Sequence, residues 1–146
     1  MGPIVVGTDG SPGATLAVQR AATIAAGAGT TVHLVTAVSG LALREPIASS
    51  ARTQKVDLGA VAESVLARGA RILREAGIEV ETHARQGDPA QVILDVAEEL
   101  GADLILVGAR GLTGLQRFLL GSVSTKVSHY AHTSVIVVRE SPSESR

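Results

Sequence analysis

The chain has 146 residues, of which 45% are hydrophobic and 1% aromatic, and its formal net charge at pH 7 is −1. This length suffices for one domain with a sizeable aliphatic core, while the near-neutral charge argues against nucleic-acid binding and a polybasic membrane patch. The absence of cysteine excludes disulfides, thiolate metal sites and cysteine nucleophiles. No apolar run approaches the roughly eighteen residues of a membrane-spanning helix, and the start of the chain lacks a secretion signal, so we expect a cytoplasmic protein.

The first part of the chain alternates short apolar segments with helical patterns. Ser11 followed by Pro12 is typical of a helix N-cap and first helical residue. The predicted elements are a strand at 4–6, the turn Gly7-Thr8-Asp9-Gly10, a helix from Pro12 to about Ala26 that Gly27 and Gly29 stop, and a strand at 31–38.

The middle of the chain opens with an irregular segment, 39–55, which contains Gly40 and Pro46. A loop of this length in a small domain is more often functional than filler, and we expect it to overhang the strand ends. A helix at 56–76 follows, and then a strand at 79–85 whose alternating pattern predicts an edge position. Asp88-Pro89 opens the next predicted helix, which ends at Gly101.

The last part reads strand, glycine loop, helix, strand. Leu104-Ile105-Leu106-Val107 predicts a strand buried on both faces. The loop carries Gly108, Gly111 and Gly114, a helix is predicted from Ser122, and 135–138 predicts the final strand. We expect one domain at 1–139 and a disordered tail at 140–146. Five strands alternating with four helices predict an α/β fold, a single doubly wound parallel sheet with helices on both faces.

The glycine loop has the features of an anion site. Glycines let backbone N–H groups approach a ligand closely, and a helix that begins at Gly121-Ser122 adds free N–H groups and the positive end of its dipole. Further donors and charge could come from Ser122, Ser124, Thr125, Arg110, Arg117 and Lys126. The alternative is a loop whose glycines serve turn geometry alone, with Ser122 as an ordinary helix cap.

Two common phosphate-binding motifs are absent. No window has the Lys that the P-loop G-x-x-x-x-G-K-[ST] requires, and the interval between Gly108 and Gly111 does not fit the dinucleotide fingerprint G-x-G-x-x-G. The motif present is G-x₂-G-x₉-G-[ST], at Gly108, Gly111, Gly121 and Ser122. In this respect the chain resembles the universal stress protein family, and in particular its ATP-binding branch.

The resemblance implies an arrangement of the strands and a site. The implied strand order is 3-2-1-4-5, which reverses between the first and fourth strands, and ligands bind at such a reversal. The Gly7-Thr8-Asp9 turn and the Gly108 loop would then face each other across one crevice.

The resemblance also implies roles for residues of this crevice. The residues expected around the phosphates are Gly108, Gly111, Gly121, Ser122 and Val123, with Arg110 as a source of charge; those expected to line the adenine are Ala37 and Val107. Thr8 and Asp9 would meet the ribose and adenine end. For Asp9 the alternative is a turn-forming or helix-capping role.

No set of residues in the sequence resembles a catalytic constellation. Ser122 has no evident base, because His129 and His132 lie at or beyond the far end of the predicted helix, where they suit the helix dipole. That pair could share a metal, but it has no cysteine and no carboxylate before Glu140, so we expect no metal site. His33 and His83 are expected to be structural.

We therefore expect an ATP-binding universal stress protein that acts as a regulatory module and not as an enzyme. The alternatives are a slow ATP hydrolase with Mg²⁺ bridging the phosphates, and a dimeric interaction protein that binds cyclic AMP or no nucleotide. The strand at 135–138 is apolar on both faces and lies at an edge in the implied order, so we also expect a homodimer through this strand.

Overall fold

The computed structural model describes residues 1–38, 57–110 and 120–140. The strands are β1 (Ile4–Gly7), β2 (Val32–Ala37), β3 (Val80–Arg85), β4 (Leu104–Gly108) and β5 (Ser134–Val138). The helices in these ranges are α1 (Pro12–Ala28), α2 (Leu58–Glu75), α3 (Pro89–Leu100) and α4 (Ser122–Tyr130). The predicted loop at 39–55, most of the glycine loop and the tail from 141 lie outside the described residues.

The five strands form one parallel sheet in the order β3-β2-β1-β4-β5, as predicted. β1 is central, and its Val5 pairs with His33 of β2 on one side and with Ile105 of β4 on the other. Side chains of the central strands alternate between two buried layers, because helices cover both faces of the sheet. Ile4 and Val6 pack in the layer that contains α1 and α2, whereas Val5 packs in the layer that contains α3 and α4.

Capping residues account for the helix starts. Ser11, Asp57 and Asp88 each accept a hydrogen bond from a first-turn amide of α1, α2 and α3 respectively. Of the two glycines predicted to stop α1, Gly29 does so as the C-cap, with a left-handed φ of 65°. The helix passes through Gly27 and runs to Ala28, two residues beyond the predicted end near Ala26. Gly27 does not have a positive φ, so it remains helical, and only Gly29 takes the conformation that ends a helix.

The two edge strands differ in how they are covered. On β3, Arg85 forms a two-bond ion pair with Glu99 of α3, with N–O distances of 2.6 and 2.7 Å, which ties this strand to the helix layer. On β5, Val135, Ile136 and Val137 are only half-buried, so apolar surface remains at this edge. Within the described ranges, no helix is long and apolar enough to cross a membrane.

Candidate functional site

The strand order reverses at β1, and this places two chain segments side by side. The connection from β1 leaves through α1 on one face of the sheet, whereas β4, its neighbour, is reached through α3 on the other face. The carboxyl ends of β1 and β4 therefore lie together where a crevice opens in folds of this kind. The predicted turn at Thr8–Asp9 and the predicted loop at Gly108 both begin there.

The turn after β1 is held by its own side chains. The Thr8 N–H donates to Val35 O at 2.9 Å, and the Gly10 N–H donates to Thr8 Oγ1 at 3.2 Å. Asp9 Oδ1 accepts the Ser11 N–H at 2.9 Å. This bond between residues two positions apart is an Asx turn, so the structure includes the turn-forming role considered for Asp9. Ser11, and not Asp9, caps α1.

Gly10 has two reasons to be glycine. Its φ of 83° is strained for other residues, and a Cβ there would lie 2.7 Å from Arg68 Nη2. The guanidinium of Arg68, a residue of α2, thus lies beside the turn after β1. This contact could not be predicted from the sequence, because Arg68 is one of several exposed arginines on a long helix.

Gly108 lies against the start of α1. A Cβ on Gly108 would be 2.6 Å from the carbonyl carbon of Gly13 and 2.9 Å from the Ala14 nitrogen, and a Cβ on Gly13 would be 2.8 Å from Arg110 O. All of these contacts are with backbone atoms, which cannot avoid a collision by a rotamer change as a side chain can. The end of β4 and the first turn of α1 therefore approach closely only because Gly108 and Gly13 lack side chains. Gly13 was not singled out from the sequence. The available clue was that a glycine, a poor helix former, lies in the first turn of a predicted helix.

The start of α4 is docked on the end of β4. The Gly121 N–H donates to Ala109 O at 2.7 Å, and the Ser124 hydroxyl lies 2.9 Å from the same oxygen and 3.1 Å from Gly121 O. The Ala109 N–H in turn donates to Val138 O of β5 at 2.9 Å. Ser124 is 1% exposed. The Ser124 hydroxyl, proposed from the sequence as a possible phosphate donor, is thus engaged inside the protein.

Gly121 is the N-cap of α4 and makes no side-chain capping bond. Of the four helices in the described ranges, α4 alone starts without such a bond. At its start, the Thr125 N–H donates to Gly121 O at 3.0 Å. Among the residues that the structure describes, no side chain caps the amides of Ser122, Val123 and Ser124, and the positive end of the helix dipole lies at the carboxyl edge of the sheet.

Lys126 connects α4 with α3. Its Nζ lies 3.0 Å from Asp88 Oδ2, the same oxygen that accepts the Gln91 N–H at 3.0 Å as the cap of α3. The Gln91 amide, and then the Lys126 ammonium, hold the pKa of Asp88 below its ordinary value. The capping role expected for Asp88 is confirmed. The Lys126 charge considered for the anion site is paired with this carboxylate.

The predicted site residues fall on three adjacent strands and one helix start. Gly7, Thr8 and Asp9 are at the end of β1, Ala37 ends β2, Val107, Gly108 and Arg110 are at the end of β4, and Gly121, Ser122 and Val123 begin α4. Gly111 lies outside the described residues. Ala37 and Val107 are 7% and 2% exposed, and their side chains pack in the layer of α3 and α4. Any contact they make at the crevice would therefore come mainly from their backbone.

The histidines lie away from this edge or inside the sheet. His33 of β2, 5% exposed, and His83 of β3 approach to 3.0 Å between Nδ1 and Nε2. The two rings meet because of the register between β2 and β3, and this register cannot be predicted from the sequence. His129 packs edge-on against Tyr130 in the last turn of α4. Among the described residues, no three His, Asp or Glu side chains gather into a metal-binding group.

Comparison with known proteins assigns the family. The sequence model of the "Universal stress protein family" matches residues 1–139. The chain belongs to the universal stress protein family. Universal stress protein YxiE of Bacillus subtilis is 48% identical over 65 residues, which cover 44% of each of the two chains. Universal stress protein MJ0531 of Methanocaldococcus jannaschii is 39% identical over 82 residues, or 56% of this chain and 48% of that protein. The matched segments thus span about half or less of the length of these relatives.

Solved structures of universal stress proteins cover almost the whole chain. A universal stress protein in complex with cAMP is 30% identical, with a TM-score of 0.72 and coverage of 95% of this chain and 97% of that one. The universal stress protein from Archaeoglobus fulgidus in complex with dAMP is 27% identical, with a TM-score of 0.72 and coverage of 95% and 98%. Both neighbours were thus solved with an adenine nucleotide.

Proposed function

We propose that this universal stress protein domain binds ATP in the crevice between the ends of β1 and β4, and that it acts as a nucleotide-responsive regulatory module. The observation that carries the proposal is the start of α4, where three successive amides that no described side chain caps lie at the point of strand reversal. Each other described helix uses a side-chain oxygen to satisfy a first-turn amide. A bound phosphate would supply that oxygen for α4.

The backbone around α4 favours a phosphate over a neutral ligand. Free N–H groups and the positive dipole end both stabilise negative charge. Gly121, the N-cap, carries no side chain that would cover these amides, although its φ of −70° and ψ of 168° suit any residue. We therefore assign the phosphates to the backbone of Gly121, Ser122 and Val123. Gly108 lies at the neighbouring end of β4, and Gly111 is included because of the motif alone.

The nucleoside end of the ligand is assigned to the other side of the crevice. Thr8 and Asp9 follow β1, the strand between β4 and β2, and Ala37 ends β2. The Asx turn fixes the Asp9 carboxylate beside the crevice, where it can accept a hydrogen bond from a ribose hydroxyl. The adenine nucleotides of the two structural neighbours support an adenine nucleotide as the ligand class.

A binding role fits the described side chains better than catalysis does. In the parts of the chain that the structure describes, the histidines are paired within the sheet or lie near the far end of α4. Neither position places a general base beside Ser122. In nucleotide sites Mg²⁺ is usually held by substrate phosphates and one or two carboxylates. Mg²⁺ that arrives with ATP would be held by the phosphates and would neutralise part of their charge.

Cyclic AMP is the second candidate ligand, because the structural neighbour at 30% identity was solved with cAMP. Calorimetric titration of nucleotide-free protein with ATP and with cAMP separates the two. We expect saturable binding of ATP with a Kd at least about tenfold lower than that of cAMP, which corresponds to roughly 1.4 kcal/mol. Tighter binding of cAMP would replace ATP in the proposal, and heat from neither would refute it. Phosphate release above that of buffer in a turnover assay would favour a hydrolase instead.

We also propose that two copies pair through β5. Val135, Ile136 and Val137 are half-buried at an edge of the sheet, where the backbone can add a strand from another chain. A twofold axis beside β5 would cover this apolar surface in both copies. Sedimentation of the wild type and of Ile136→Lys tests this arrangement, and we expect a dimer that the substitution dissociates. A monomeric wild type would contradict it.

A further inference from the structure

The Ala109 peptide joins three elements at the carboxyl edge of the sheet. Its N–H donates to Val138 O at the end of β5, and its carbonyl oxygen accepts the Gly121 N–H at 2.7 Å and faces the Ser124 hydroxyl at 2.9 Å. The start of α4 is therefore fixed to the end of β4 by contacts that do not involve residues 111–119. This junction fixes the first turn of α4 at the carboxyl edge of the sheet, while Val127 and Lys126 hold the rest of the helix against α3.

Ser124 makes the junction from inside the helix. It is the third helical residue, and its side chain points back toward the helix start, as side chains on helices do. The hydroxyl lies between two carbonyl oxygens, Ala109 O and Gly121 O at 3.1 Å, and has one proton to share between them. Ser124 is 1% exposed, so the hydroxyl is shielded from bulk solvent.

This arrangement separates two tasks that one residue performs in the other helices. In α1, α2 and α3 the capping side chain both fixes the helix start and occupies a first-turn amide. In α4 the Ser124 hydroxyl fixes the start from the protein interior by donating to carbonyl oxygens, and no side chain in the described ranges covers the first-turn amides. A residue with a capping side chain at 121 would hold the helix equally well but would compete with a phosphate.

We propose that Ser124 is a positioning residue of the phosphate site: it holds the start of α4 against β4, so that the Ser122 and Val123 amides are oriented before the ligand arrives. Ser124 does not touch the ligand. The expected effect on binding rests on the proposed function. The contacts that position α4, in contrast, are present in the protein without a nucleotide. The two parts are therefore measured separately.

The positioning is measured by amide hydrogen exchange in nucleotide-free protein. In the wild type, the Gly121 amide should exchange more slowly than the Ser122 amide, because only the former has a partner in the junction. In Ser124→Ala, exchange at Gly121 should become about tenfold faster, since its helix end is no longer fixed. The matched control is Ser128→Ala, the same change at an exposed position of α4, which should leave exchange at Gly121 unaltered. Unchanged exchange in Ser124→Ala, or a wild type in which Gly121 is no better protected than Ser122, would overturn the inference.

The consequence for binding is measured with ATP, inorganic tripolyphosphate and adenosine. Ser124→Ala should weaken ATP and tripolyphosphate about tenfold and change adenosine by less than about twofold, because only the phosphate end depends on α4. Ser124→Thr keeps a hydroxyl at this position and should restore most of the ATP affinity. Equal loss for adenosine and ATP would overturn the positioning role. A wild type that binds none of the three ligands would refute the proposed function, and the exchange result would still decide what Ser124 does.

Discussion

Substitution of Gly108 by alanine tests whether the end of β4 and the start of α1 must touch. The new Cβ would lie 2.6 Å from the Gly13 carbonyl carbon, and this distance must grow to at least 3.4 Å for an ordinary contact. Because the obstructing atoms belong to the backbone, the whole first turn of α1 or the end of β4 has to move. The φ of Gly108 is not positive, so the substitution adds this collision without backbone strain.

The expected cost follows from the size of the collision. Overpacking of a well-packed region by one methyl group costs about 2 kcal/mol, and in a domain of this size each kcal/mol lowers Tm by roughly 2–4 °C. We therefore expect Gly108→Ala to lower Tm by roughly 4–8 °C. ATP affinity should fall at the same time, because displacement of the start of α1 also displaces the turn that contains Thr8 and Asp9.

Thermal unfolding followed by circular dichroism, together with calorimetric titration of ATP, measures both effects. The matched control is Gly27→Ala in α1, where a Cβ meets nothing within 4 Å. Alanine is also the better helix former, so this variant should have an unchanged or slightly higher Tm. A Gly108→Ala variant as stable as the wild type would refute the close approach of β4 and α1 on which the site geometry depends.

Three further substitutions test separate parts of the account. Gly121→Val should weaken ATP binding at least tenfold, by roughly 1.4 kcal/mol, because its side chain would stand beside the amides assigned to the phosphates. Tm should fall by less than about 4 °C, since valine can adopt the extended backbone of Gly121; full ATP affinity would show that the phosphates lie elsewhere. Asp88→Ala should lower the free energy of unfolding in urea by about 1 kcal/mol, because α3 loses its cap. Asp88→Asn keeps a capping oxygen and loses only the charge that pairs with Lys126, so it should retain most of this stability. Equal losses in the two variants would contradict the capping role. Burial, and then the nearby His33 and Arg85, lower the pKa of His83 below its ordinary value of 6.5. The unfolded chain therefore binds a proton at His83 more tightly than the folded protein does, and the folded state loses stability as the pH falls below about 6.5. His83→Gln should therefore show a smaller fall in urea midpoint between about pH 7 and pH 5 than the wild type, and parallel falls in both proteins would contradict the lowered pKa.

The elements of the fold could be predicted because each has a local cause in the sequence. The Ser11-Pro12 and Asp88-Pro89 pairs predict helix starts, and short aliphatic runs such as 104–107 predict strands buried on both faces. The strand order is implied by the resemblance to the universal stress protein family, which the motif at Gly108, Gly111, Gly121 and Ser122 carries, since composition and periodicity do not contain the order. The structure confirms it.

The contacts that shape the site could not be predicted, because they join residues far apart in the chain. Gly108 was assigned to phosphate approach, but the structure shows that it also packs on Gly13. Ser124 was recognised as a donor, whereas its acceptors depend on where α4 docks. The pairing of His33 with His83 depends on the register of two strands that α2 separates in the chain.

The measurement that tests the central claim most directly is a titration of nucleotide-free, ¹⁵N-labelled protein with ATP, followed by NMR. We expect the amide resonances of Ser122, Val123 and Ser124 to shift together with those of Thr8 and Asp9, all with one Kd, because a single ligand would span the crevice between α4 and β1. Shifts that are absent from either segment, or that occur only in distant parts of the protein, would contradict a nucleotide site at this edge of the sheet.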